Sequence, residues 1–143
     1  MTVEELKNYL SSICELDHEI DRMHNQVCAL ESEAAYISAR YGGEAVKHTR
    51  NVHATEDIIV RKIDLEQRMN EATDRLVDMR ANALLSFTHL SHPEYTTVMK
   101  QRYLDYLPWE KIAENNYCSI STAKRWHVLA LEEMAMSKVE PVM

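Results

Sequence analysis

From Leu6 to Ile37 the apolar residues recur at steps of three and four without a break: Leu6, Tyr9, Ile13, Leu16, Ile20, Met23, Val27, Leu30, Ala34 and Ile37. Only an α-helix gathers such positions onto one face, and a stripe this sustained is the seam of a coiled coil or helical hairpin. It predicts one helix over residues 2–39. Thr2 with Glu5 three positions later opens it with a capping box. At ~1.5 Å per residue this helix would exceed about 50 Å. Alone it would be marginal, because its apolar stripe needs a partner.

A partner of similar length follows. Residues 40–54 interrupt the rhythm: Gly42-Gly43 ends the helix, and Arg40, Lys47 and Arg50 make the segment basic, which predicts a connecting loop. A second long helix is expected from about Thr55, with Glu56 and Asp57 at its positive end. Ile58, Leu65, Met69, Ala72, Leu76, Met79, Ala83 and Leu90 continue the three-four rhythm, and Ile59, Ile63, Val77, Leu84 and Phe87 widen the apolar face. The expected seam comprises Leu6, Ile13, Leu16, Ile20, Met23, Val27, Leu30, Ile37, Leu65, Met69, Leu76 and Met79. Residues 1–90 would then form an antiparallel hairpin. The same seam fits pairing between chains, as a homodimer or higher oligomer.

Composition points the same way. Two Gly and three Pro are too few for a loop-rich or all-β chain. The expected fold class is all-α. A net charge of −7 argues against non-specific binding of DNA by the whole molecule. The charge is uneven: between Asn115 and Leu131 the charged residues are Lys124 and Arg125, with no acid. Three widely spaced cysteines, Cys14, Cys28 and Cys118, read as reduced thiols of a cytosolic protein. The acidic, amphipathic start does not read as a signal peptide, and no apolar run approaches the ~20 residues that span a bilayer.

Chemistry-bearing patterns are sparse. His18 and His24 lie on different helix faces, His48 and His53 fall in the expected loop, and His89 and His92 straddle a helix end. None combines with cysteine at zinc-finger spacing and no HExxH occurs, so no metal site is expected. The carboxylates are spread over solvent-facing positions, without an acid/base pair. Gly42-Gly43 is no phosphate loop. Neither enzymatic activity nor a cofactor is expected.

The last third is organised differently. Ser91-His92-Pro93-Glu94 predicts a helix start by capping-box logic, with Tyr95, Val98, Met99, Tyr103, Leu104 and Leu107 on its apolar face. Pro108 then breaks the chain, and Trp109, Ile112 and Ala113 define one face of a short helix. Asn115-Asn116-Tyr117-Cys118 is a plausible turn, and Ser119 is placed to cap a second helix. In that helix Ala123, Trp126 and Ala130 can pack inward, leaving Ser121, Thr122, Lys124 and Arg125 outside. The result is a helix-turn-helix whose second helix could enter a major groove. The three-helix unit would span residues 91–136 and is small to be stable alone, so it should lean on the long helices. Residues 137–143 form a tail.

On these residues the chain resembles region four of bacterial sigma factors. The matching positions run Leu107, Pro108, Glu110, Lys111, Ile112, Ala113, Tyr117, Ser119, Ala123, Ala130 and Leu131, and Val98–Leu104 resembles the helix that precedes the motif. With a long helical N-terminal segment, the whole looks like the small phage-encoded sigma-like regulators of Gram-positive hosts, of RinA and ArpU type. The resemblance covers about residues 93–135 closely and the first 90 only in architecture. Tyr117 stands where that family has Gly, Asn116 where it has an apolar residue, and Ile120-Ser121 replaces a common charged pair.

The resemblance implies a phage transcriptional regulator in the cytoplasm of a bacterial host, binding double-stranded promoter DNA and contacting host RNA polymerase. The candidate DNA-binding residues are Ser119, Ile120, Ser121, Thr122, Lys124 and Arg125, with Lys111 and His127 as phosphate contacts. Two other readings fit the same pattern. One is a packaging component of the small-terminase kind. The other is a protein-interaction adaptor whose helix-turn-helix does not read DNA.

Overall fold

The computed structural model describes residues 2–41 and 48–137, with side chains for 2–40 and 53–137. Among the described residues the chain is all-α, with five helices and no strand: α1 (Val3–Tyr41), α2 (His48–Thr88), α3 (Pro93–Tyr103), α4 (Trp109–Asn115) and α5 (Ile120–Met136). Gly42-Gly43 and the tail from residue 138 lie outside the described residues. The predicted capping box starts α1: Thr2 N–H donates to Glu5 Oε2 at 3.1 Å, and Glu5 N–H donates to Thr2 Oγ1 at 3.2 Å. α2 begins at His48 rather than near Thr55. The basic residues that suggested a longer loop do not break a helix, and 48–54 contains neither Gly nor Pro.

Two compact units divide the chain, His18–Asp74 and the combination of Met1–Asp17 with Arg75–Met143. The division falls within the long helices and not at Leu90–Ser91. The reason is burial: a three-helix unit of this size encloses too little apolar surface by itself.

In the His18–Asp74 unit the seam is buried at Val27, Ile58 and Ala72, and half-buried at Ile20, Met23, Leu30, Ile37, Leu65 and Met69. Lys62 Nζ reaches across from α2 to Glu31 Oε1 of α1 at 3.1 Å and also meets Glu66 at 3.6 Å. The Glu31 carboxylate accordingly raises the Lys62 pKa. Part of the expected wider stripe faces outward here: Ile59 and Ile63 are exposed, as is Val60.

The other unit holds the larger core. Leu6, Leu10 and Ile13 of α1 are buried, with Leu76, Ala83 and Phe87 of α2, Val98, Met99 and Tyr103 of α3, Ile112 of α4, and Ala130, Leu131 and Met134 of α5. Leu10 broadens the predicted stripe, because this end of α1 packs into a multi-helix core and not along one partner. Leu16 and Met79 are half-buried. Phe87 fulfils the wider stripe, whereas Val77 and Leu84 are exposed.

The start of α3 corrects the expected capping box. His92, not Ser91, is the N-cap, which puts Pro93 at the first helical position, where its missing N–H has no consequence. That frame removes Ser91 from capping. Its N–H and hydroxyl instead donate to the two oxygens of Glu133 on α5, at 2.8 and 2.9 Å.

Candidate nucleic-acid interface

α3, α4 and α5 pack around Val98, Ile112, Ala113 and Ala123, with Leu107, Trp109, Cys118 and Trp126 partly buried against them. Ala123 and Ala113 are small, so α4 and α5 can approach closely. Both tryptophans are therefore core-flanking, as their positions predict.

The turn between α4 and α5 is a Schellman motif. Cys118 N–H donates to Ala113 O at 3.0 Å and Tyr117 N–H donates to Glu114 O at 3.3 Å, satisfying carbonyls at the helix end. Such a cap needs a left-handed residue at the first position beyond the helix, and Tyr117 occupies it with φ 54. Asn116 stiffens the turn from within: its side-chain amide donates to Gln101 Oε1 and to Ile112 O. This explains an amide where an apolar residue would be usual. Ser119 then caps α5, its Oγ accepting from Thr122 N–H at 3.1 Å.

On α5 the predicted residues divide by face. Ser119, Ile120, Ser121, Lys124 and Arg125 are exposed, so they share the outer side of the turn and first helical turns. Thr122 is half-buried and its hydroxyl shares a hydrogen bond with Ser119 Oγ at 2.9 Å, which ties it to the cap. Val128, 48% exposed, extends the same face, and the next acid along the helix is Glu132. Lys111 is exposed and pairs loosely with Glu114 at 3.8 Å. With Glu110 also outside, the surface of α4 is net negative, and Lys111 is a weaker candidate for a phosphate than its charge alone suggests.

His127 is not a surface phosphate contact. It is buried, and its Nε2 lies 2.6 Å from the Tyr103 hydroxyl. Burial, followed by the charges of Lys7 and Arg102, pushes its pKa down to about 4, while burial pushes Tyr103 up to about 12. Both groups are therefore neutral near pH 7, and they share this hydrogen bond. Helical periodicity accounts for the error: position 127 follows Ala123 by four and precedes Ala130 by three, on the inner face.

Two residues of this surface escaped the sequence pattern. Tyr117 is 98% exposed at the tip of the turn, a consequence of its left-handed backbone, which points the ring away from the core. Val128 escaped because apolar residues were expected inside. Among the described residues no three His, Cys, Asp or Glu side chains form a metal-binding group, and no helix is long and apolar enough to cross a membrane. Compared with known proteins, the chain matches no family model, no curated protein and no solved structure.

Proposed function

We propose that the protein is a sequence-specific regulator of transcription that binds double-stranded DNA through α5, in the manner of phage sigma-like regulators working with host RNA polymerase. The observation that carries this reading is the outer face of α5. It is capped at Ser119, free of acids over its first three turns, and presents Ser121 and Arg125 on the side opposite the core with Lys124 exposed on its flank. Recognition helices of helix-turn-helix proteins use their N-terminal residues on base edges in this way. Arg125 supplies a bidentate donor suited to guanine, Lys124 a phosphate contact, and Ile120 an apolar surface for a thymine methyl. An acidic chain with a local cationic face would bind specific sites while binding bulk DNA poorly.

The test is selection of bound duplexes from a random library at about 0.1–0.15 M salt, where exposed charges are well screened. One enriched motif is expected. Arg125→Ala should relax it at one position and cost ~1–3 kcal/mol, about the discrimination carried by one bidentate base contact. No enrichment with the full chain would sink unaided recognition. It would favour the adaptor reading, which the exposed Tyr117, Ile120 and Val128 around the same face support.

A further inference from the structure

A second feature lies beside α5, on the flank that faces the start of α1. A cleft of about 270 Å³ opens there, and three of its lining residues are cations: Lys7 from α1, Arg102 from α3 and Lys124 from α5. Among the described residues no carboxylate lines it, although acids outnumber bases in the chain. Its wall is aromatic, from Trp109, Tyr103 and His127. We propose that this cleft seats a phosphate group, carried either by a small phosphorylated ligand or by a nucleic-acid strand.

The cations differ in how they are held. Arg102 is fixed: its guanidinium lies over the Trp109 ring at 4.6 Å and donates through Nη1 to Leu107 O at 3.1 Å. Its remaining N–H groups stay available in a fixed orientation, which suits an oxyanion. Lys7 and Lys124 are exposed, on flexible stems from two different helices, and can close on an anion from either side. Ser11, half-buried in the lining, adds a hydroxyl donor.

The positive potential is registered inside the protein. After burial, the next causes that hold the His127 imidazole neutral are the charges of Lys7 and Arg102. Three like charges around one opening repel, and a dianion would relieve that repulsion. The volume limits the ligand. It is slightly below the ~300 Å³ at which pockets for drug-sized molecules begin, so a phosphate with one small ring fits and a dinucleotide does not. The ring, where there is one, would meet the Trp109 wall.

The site stands on its own geometry and does not require α5 to read DNA. Its test uses the full chain, titrated with inorganic phosphate and with phenyl phosphate at constant ionic strength and followed by the NMR signals of the His127 imidazole and Trp109 indole. Saturable shifts, with phenyl phosphate the tighter ligand and Lys7→Gln weakening both by about tenfold, are expected for a free phosphorylated ligand; tenfold is the loss of one charge-assisted hydrogen bond. Lys7 is exposed on α1, so this substitution spares the core. If neither inorganic phosphate nor phenyl phosphate binds but Lys7→Gln weakens duplex binding about tenfold, the phosphate is that of a strand. Absence of both effects overturns the proposal, as does ester binding that Lys7→Gln and Lys124→Gln leave unchanged. Ester binding by a chain that selects no DNA motif would uphold this site while refuting DNA recognition.

Discussion

Replacing Tyr117 by glycine should stabilise the protein. The residue sits at φ 54, in the left-handed region, where the Cβ of an L-residue crowds the neighbouring carbonyl. That costs roughly 1–2 kcal/mol, and glycine escapes it. Glycine brings its own penalty, about 0.5–1 kcal/mol of extra backbone entropy in the unfolded chain. Truncation elsewhere would add a loss of buried surface, but Tyr117 is 98% exposed and buries almost none. The net expectation is a gain of ~0.5–1 kcal/mol. For a chain of this size that corresponds to about 1–4 °C in the thermal midpoint. Urea unfolding followed by helical circular dichroism measures it as a raised midpoint at unchanged slope. Tyr117→Val makes the opposite arm, since a β-branched side chain tolerates this region worst; it should destabilise. The Schellman bonds of Tyr117 and Cys118 belong to the backbone and survive both changes. A loss of stability in Tyr117→Gly, or equal midpoints for glycine and valine, would refute the strained-turn account.

Two further outcomes follow from the same helices. Ser119→Ala removes the acceptor for Thr122 N–H and should cost about 1 kcal/mol, read from the urea midpoint, with Ser119→Gly losing only a few tenths. His127 links stability to pH: its folded pKa of about 4 lies below the ordinary 6.5, so between those values the unfolded chain binds the proton first. Its contribution is complete above about pH 6.5 and is lost as pH falls toward 4. The pH dependence of the urea midpoint over that window should therefore be steeper in the wild type than in His127→Gln, and parallel curves would contradict it.

Much of this architecture was legible because helical period is a local signal. The steps from Leu6 to Ile37 fix one face of α1 whatever the partner is, and Thr2 with Glu5 marks its start. Ser119 could be assigned as a cap for the same reason. The errors came where two local rules competed or where a third element entered. Ser91 and Pro93 each had a claim on the first turn of α3, and the proline won, because its ring sets the helical frame while a serine can bond elsewhere. Leu10 lies on the margin of a two-helix seam; only a multi-helix core reaches it. Nothing in the neighbours of Ile59 or Val77 in the sequence tells a wide buried stripe from an exposed one. The candidate interface was legible at Ser121 and Arg125, whose spacing places them opposite Ala123 and Ala130, and at Lys124 on the flank between the faces. The cleft beside it was not. Lys7, Arg102 and Lys124 are separated by long stretches of chain and meet only through tertiary packing.

That separation bears on how the two surfaces of α5 relate. The inner face is filled by Ala123, His127, Ala130, Leu131 and Met134, and its single ionisable group is kept neutral and hydrogen-bonded to Tyr103. The outer face contributes almost nothing to the core, so its residues are free to serve recognition without a cost in packing. Lys124 lies where the faces join: exposed with Ser121 and Arg125, yet lining the cleft with Arg102 and Lys7. An anion held in the cleft would draw the Lys124 ammonium toward α1 and away from the outer face. The direction of that coupling follows from charge alone: occupancy of the cleft by a free phosphate would remove one positive charge from the recognition face and oppose binding there. By thermodynamic reciprocity, a duplex that engages Lys124 would weaken the cleft for free phosphate by the same factor.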